Sequence, residues 1–257
     1  MFEAGNEAKE VKIFTGLATF MPFLVNPTKE ELTKIGVNLK DEPVYTTKTE
    51  EGNDRTRIDI WGQIMETSKI VGSPQYQKVS FFIENTFKES TATPGNFQFI
   101  NEFGLSTWGQ NVEEITEKYG NWFKGDKIRK AYSGEADLVS FINSWLSIGK
   151  GQKSGFENPV NLTKGDVTEL KTIISKFKER KLQVLLTVRE YEGSYFQSIY
   201  NRFTSRSFNK STTYWEKHFE NSQVNVEYQN SFALKEFNPL AVSSSETDTA
   251  PEADPWA

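Results

Sequence analysis

Residues 195–215 read YFQSIYNRFTSRSFNKSTTYW. Arg202, Arg206 and Lys210 stand there among Tyr195, Phe196, Tyr200, Phe203, Phe208, Tyr214 and Trp215, with no acidic residue between them. Residues 118–132 read KYGNWFKGDKIRKAY. Lys118, Lys124, Lys127, Arg129 and Lys130 outnumber Asp126, and Tyr119, Trp122, Phe123 and Tyr132 accompany them. Cations track phosphates, and flat rings receive unstacked bases. Stacking contributes about 1–3 kcal/mol per base and tolerates any sequence. The phosphate contribution falls with salt, with a slope of about −0.7 per neutralised phosphate. The pattern therefore suits unpaired nucleic acid. The ordinary alternative is that the rings fill a core and the lysines coat a surface.

Other chemistries have fewer residues to work with. The chain has no cysteine, which removes disulfides, thiol catalysis, iron–sulfur clusters and thiolate zinc sites. His218 is the single histidine, so general acid–base work by imidazole has one candidate, and a structural histidine is its ordinary reading. No phosphate-binding glycine loop, dinucleotide fingerprint, H-E-x-x-H or nucleophile elbow occurs. Asp59, Glu84 and Glu102 lie on or near expected strands, so a Mg²⁺ nuclease is one rival reading. A virion structural or protein-interaction protein, whose rings form subunit contacts, is another.

The elements that position these residues follow from pattern. Residues 11–25 are rich in β-formers, with Gly16 at a bend and Pro22 at an edge or end. NPTKEELTKIG (26–36) reads as a capped helix. Residues 38–54 are polar and loop-like. Arg57–Trp61 and Lys78–Ile83 alternate as strands. On them Trp61 and Phe82 stand opposite in phase to Ile58, Ile60, Val79, Phe81 and Ile83, so each ring falls on the non-core face. Residues 86–96 read as a hairpin loop ending in Pro94-Gly95-Asn96, with 97–100 as the returning strand. Leu138, Phe141, Ile142, Trp145 and Leu146 mark an amphipathic helix, and a second helix runs from about 165 to 179. Leu182–Arg189 and Tyr195–Tyr200 form a hairpin across Glu192-Gly193-Ser194, and Val224–Tyr228 is extended.

Strands at both ends with helices between them argue against a doubly wound sheet. The expected fold is α+β, mainly antiparallel β. It is an OB-fold-like, partly open barrel over residues 1–242, with helical insertions at about 111–180. Aromatic residues are 14% of the chain, too many for a disordered one. No apolar run is long enough for a membrane span. Met1–Glu10 carries Glu3, Glu7 and Glu10 and does not read as a signal peptide, so a soluble intracellular protein is expected.

Charge is unevenly placed. The net charge is −5, and residues 243–257 (SSSETDTAPEADPWA) hold Glu246, Asp248, Glu252 and Asp254 with no Lys or Arg. The body is thus close to neutral. The tail lacks apolar periodicity and reads as disordered. Its one large ring, Trp256, follows Glu252 and Asp254 as a partner-docking tip.

KIFTGLATFMPFLVNPTKEEL (12–32), FQFINEFGLSTW (97–108), GEADLVSFINSWL (134–146), YFQSIYNRF (195–203) and the acidic tail with its aromatic end resemble the single-stranded DNA-binding proteins of tailed bacteriophages, including those of crAss-like phages. The resemblance implies an OB-type core and protection of DNA strands during phage replication and recombination. It also implies a location in the cytoplasm of the infected bacterial host, and a tail that recruits a helicase, primase or polymerase. In such families the tail is also thought to compete with DNA for the basic groove. Two departures stand out: the tail ends Asp-Pro-Trp-Ala rather than Asp-hydrophobic-Pro-Phe, and the Cys/His zinc site of one phage lineage is missing.

The expected site follows. Bases stack on a subset of Trp61, Phe82, Trp108, Trp122 and Phe203. Phosphates meet Arg57, Lys127, Arg129, Lys130, Arg202 and Arg206. Glu252, Asp254 and Trp256 contact the partner. No catalysis, metal or cofactor is expected, and the oligomeric state is left open.

Overall fold

The computed structural model describes residues 12–123, 127–147, 159–200 and 233–238. Its centre is β1 (Phe14–Val25), a twelve-residue strand of the β-forming stretch seen in the sequence. Its N-terminal half pairs with β9 (Leu182–Tyr191) and its C-terminal half with β3 (Asp54–Ile64), both antiparallel. The register shifts between Pro22 and Leu24. Proline has no N–H to give a ladder, so the irregularity falls where a bulge costs least. Beyond these, β10 (Ser194–Ile199) pairs with β9, β4 (Tyr76–Phe87) with β3, and β8 (Tyr132–Ser133) with β4. The order is β10-β9-β1-β3-β4-β8, with β2 (Thr46–Lys48) on β3 and β11 (Lys235–Glu236) on β1.

The chain is α+β with mainly antiparallel sheets. Where a partly open barrel was expected, the large sheet does not close. Strands β10 and β4 approach each other without a hydrogen-bonded ladder. The C-terminal end of β4 is taken by β8, through Glu84 and Phe87.

A second sheet, β6-β5-β7, corrects the hairpin reading. The turn at Pro94-Gly95-Asn96 exists, and backbone bonds join Ser90 to Asn96 and Gln98 to Lys88. The returning strand β5 (Phe97–Ile100), however, leaves the main sheet. It pairs with β6 (Ser106–Gly109) and β7 (Arg129–Lys130). Helix α3 (Val112–Tyr119) covers this small sheet, whose own core is Phe99, Ile115 and Phe123.

Helix α1 (Lys29–Lys34) starts as its sequence predicts. Thr28 accepts from the Glu31 N–H, and Glu31 accepts from the Thr28 N–H. Helix α4 (Glu135–Leu146) buries Leu138, Phe141, Ile142 and Trp145 in the main core. Each such side chain contributes about 1.5–3 kcal/mol of apolar burial. The second expected helix is α6 (Thr168–Lys176), preceded by the short α5 (Pro159–Leu162). The β9–β10 turn is made by Glu192 and Gly193, both at positive φ (50° and 74°), which suits the twist of a two-residue hairpin. Helix α2 (Met65–Val71) and strands β2 and β6 stand outside the expected elements, and β7 and β8 are strands within the stretch expected to hold helical insertions, because edge pairing to β5 and β4 outweighs the local pattern.

Candidate nucleic-acid interface

The long β3–β4 ladder runs from Arg55 opposite Glu84 to Gln63 opposite Tyr76. Alternation turns Ile58, Ile60, Ile64, Val79, Phe81 and Ile83 into the core. The other face carries, row by row, Arg55 with Glu84, Arg57 with Phe82, Asp59 with Ser80, Trp61 with Lys78, and Gln63 with Tyr76. At roughly 3.4 Å per residue the five rows span about 27 Å.

Cations and rings meet on this face. The Arg55 guanidinium lies 5.9 Å from the Phe82 ring centre, Arg57 lies 5.3 Å from that of Tyr45, and Lys78 Nζ lies 5.7 Å from that of Trp61. Phe23 packs edge-on to Tyr76 at 5.6 Å. Tyr45 is held by its hydroxyl, which donates to the Pro27 carbonyl at 2.7 Å. Burial pushes that hydroxyl's pKa above the ordinary tyrosine range, the Asp59 charge adds to this, and Arg57 opposes it.

The acids on the face are occupied by the cations. Asp59 is 1% exposed. Its carboxylate accepts from Lys78 Nζ at 2.7 Å and from Ser80 Oγ at 2.7 Å, and lies 3.3 Å from Arg57 Nε. Asn26 fixes the backbone behind it: its Oδ1 accepts the Asp59 N–H at 2.7 Å. Glu84 Oε1 accepts from Arg55 Nη2 at 2.5 Å. Three cations against two carboxylates leave one net positive charge across the five rows. Asp59 and Glu84 are each paired with basic partners. Among the described residues no group of three or more His, Asp or Glu side chains converges on a metal-sized site.

Phe82 and Trp61 both stand on the non-core face, and their environments differ. Phe82 is 50% exposed. Trp61 is 9% exposed, and its indole N–H finds no acceptor among the described residues. Trp61 thus forms the floor under Lys78 rather than an open plate. Arg57 is half-buried between Tyr45 and Asp59.

The remaining described site residues sit on the small-sheet side. Trp108 on β6 and Trp122 after α3 are each 41% exposed, and Trp122 leans on Tyr119 and Phe123. Lys127 is exposed. Lys130 Nζ lies 3.3 Å from the Phe97 ring centre and 5.9 Å from that of Phe87, which itself stacks on Tyr132 at 5.3 Å. Arg129 is committed elsewhere: its guanidinium forks onto the buried carboxylate of Glu135, which also accepts the Tyr132 N–H. The expected residues therefore fall into two groups on two sheets. Arg202, Phe203, Arg206, His218, residues 224–228 (expected to be extended) and the tail residues Glu252, Asp254 and Trp256 lie outside the described residues.

Arg55, Lys78 and Tyr45 also belong to this face, beyond the expected Arg57, Trp61 and Phe82. Arg55 and Lys78 carry the same signal as Trp61 and Phe82, because alternation puts all four on one face. Tyr45 has no such signal, since it reaches the face from the segment leading into β2.

The fold and face together define a class: an α+β chain whose open antiparallel sheet presents a cation–aromatic surface. Compared with protein-family models, curated proteins and solved structures, the chain matches none. No described helix is long and apolar enough to cross a membrane.

Proposed function

We propose that this chain binds single-stranded DNA without sequence preference, along the non-core face of β3 and β4. The observation that carries the reading is the set of three cation–ring pairs on that one face: Arg55 with Phe82, Arg57 with Tyr45, Lys78 with Trp61. Bases stack on the exposed Phe82, and the one positive charge that Arg55, Arg57 and Lys78 leave over Glu84 and Asp59 draws the phosphates. Trp108, Trp122, Lys127 and Lys130 extend the contact onto the small sheet. Arg129, bound to Glu135, contributes support rather than charge.

The strand order supports an OB-type scaffold as part of this reading. A long first strand shared between β9 and β3, an antiparallel β1–β3–β4 meander, a helical insertion before β9 and a closing β9–β10 hairpin fit that topology. In the setting the sequence resemblance implies, the protein covers unpaired strands during phage replication and recombination. Its acidic tail, through Glu252, Asp254 and Trp256, engages a helicase, primase or polymerase.

The test is titration of labelled oligothymidylate and of duplex DNA at increasing salt. Preference for the single strand, with affinity that falls as salt rises, is expected. Equal affinity for both forms would overturn the proposal.

A further inference from the structure

Helix α6 turns a second cationic surface outward. Leu170 and Ile174 point into the main core. Thr168, Lys171, Thr172, Ser175 and Lys176 repeat at spacings of three and four, so they share one exposed stripe. They line a shallow open depression made of hydroxyls and ammonium groups, without an acid. A second depression shares Ser175 and Lys176 and continues over Lys178 and Arg180, with Glu179 as its one acid. Lys171, Lys176 and Lys178 form no ion pair with a described residue. This contrasts with the β3–β4 face, where each cation already holds a carboxylate.

The stripe also lacks an open ring. Phe177 is the aromatic along the path, with Lys176 Nζ at 5.3 Å, Arg180 at 5.6 Å and the edge-packed Trp145 at 6.3 Å from its ring centre. A base has nothing to stack on. Hydroxyls and ammonium groups that hold no carboxylate among the described residues, in a shallow trough, suit phosphodiester oxygens alone.

We infer that α6, whose apolar side chains enter the same core that β3 and β4 face from their other side, is a backbone-only contact for a nucleic-acid strand long enough to pass from the outer β3–β4 face around the sheet to the helix. The inference rests on the strand-binding proposal and adds a second surface, on a helix packed against β1. Short strands saturate the stacking face; long ones reach the lysines.

The experiment compares the full-length chain with K171E/K176E, K171Q/K176Q and F82A, using oligothymidylates of about 8 and about 30 nucleotides. For K171E/K176E, affinity for the long strand falls about tenfold and the salt slope becomes shallower by about 1.4, as expected for two lost phosphate contacts. The short strand changes by less than about twofold, which also shows that the fold is intact. K171Q/K176Q gives a smaller loss in the same direction. If both lengths respond alike to the lysine changes, or neither responds, α6 is only a solvated face and the inference is overturned. If instead F82A leaves both lengths unchanged while the lysine variants act on the long one, the β3–β4 proposal fails and the α6 contact stands.

Discussion

Replacing Phe82 with alanine separates binding from folding on the β3–β4 face. The ring is half exposed, points away from Val79, Phe81 and Ile83, and meets Arg55 at 5.9 Å. A cation–ring contact at an exposed site contributes about 0.5–1 kcal/mol. Full burial of a phenylalanine contributes about 1.5–3 kcal/mol, so the covered half of this one contributes about 1 kcal/mol. The fold therefore loses about 1–2 kcal/mol, within the usual 5–15 kcal/mol of a domain. Binding loses a stacked base, about 1–3 kcal/mol, or about 5- to 150-fold in affinity. Fluorescence anisotropy of a labelled oligothymidylate of about 20 nucleotides reads the affinity, and a thermal melt reads the fold. Phe82→Trp should keep wild-type affinity, whereas Phe82→Leu, apolar but not flat, should lose it. Affinity for Phe82→Ala within twofold of wild type, with the melt intact, would refute the stacking role.

Glu84→Gln releases Arg55 from its carboxylate and raises the net charge of the face by one. Affinity for single strands should rise several-fold and the salt slope should steepen by up to about 0.7; an unchanged slope would show that Arg55 meets no phosphate. Gly134 stands at φ +80° before α4, and a Cβ there would lie 1.9 Å from the Phe82 carbonyl oxygen. Gly134→Ala should destabilise by about 2–4 kcal/mol in urea unfolding, since it adds both left-handed strain and a clash with the strand that carries Phe82. Tyr45 has its pKa raised in the folded state, first by burial and then by Asp59. Its contribution to stability is fully present below the unfolded value of about 10 and is lost as pH climbs towards the raised one. Melting curves at about pH 8 and about pH 11 should therefore show a smaller alkaline loss for Tyr45→Phe than for wild type.

Local patterns were legible wherever one physical rule dominated. The Thr28–Glu31 capping box starts α1 because an orphan N–H needs an acceptor within three residues. The spacing of Leu138, Phe141, Ile142 and Trp145 made α4 certain to bury that stripe. Strand alternation put Phe82 on the non-core face, and the same rule carried Arg55 and Lys78 there. The turn at Pro94-Gly95-Asn96 was equally local. Which sheet Phe97–Ile100 would join was not, because its pairing with β7 joins segments far apart in the chain, which turn chemistry does not encode.

Composition and alternation by themselves determined the mainly antiparallel α+β class, the helices that fill the core, and which face of β3 and β4 each ring occupies. Only the tertiary structure decided what stands over those rings and beside those charges. Trp61 shares the non-core face with Phe82 but is covered, Arg129 is spent on Glu135, and Tyr45 arrives from another segment to meet Arg57. The reason is physical. Direction along a strand follows from its own backbone geometry, whereas exposure and ion pairing depend on residues far apart in the chain that only packing brings within a few ångströms.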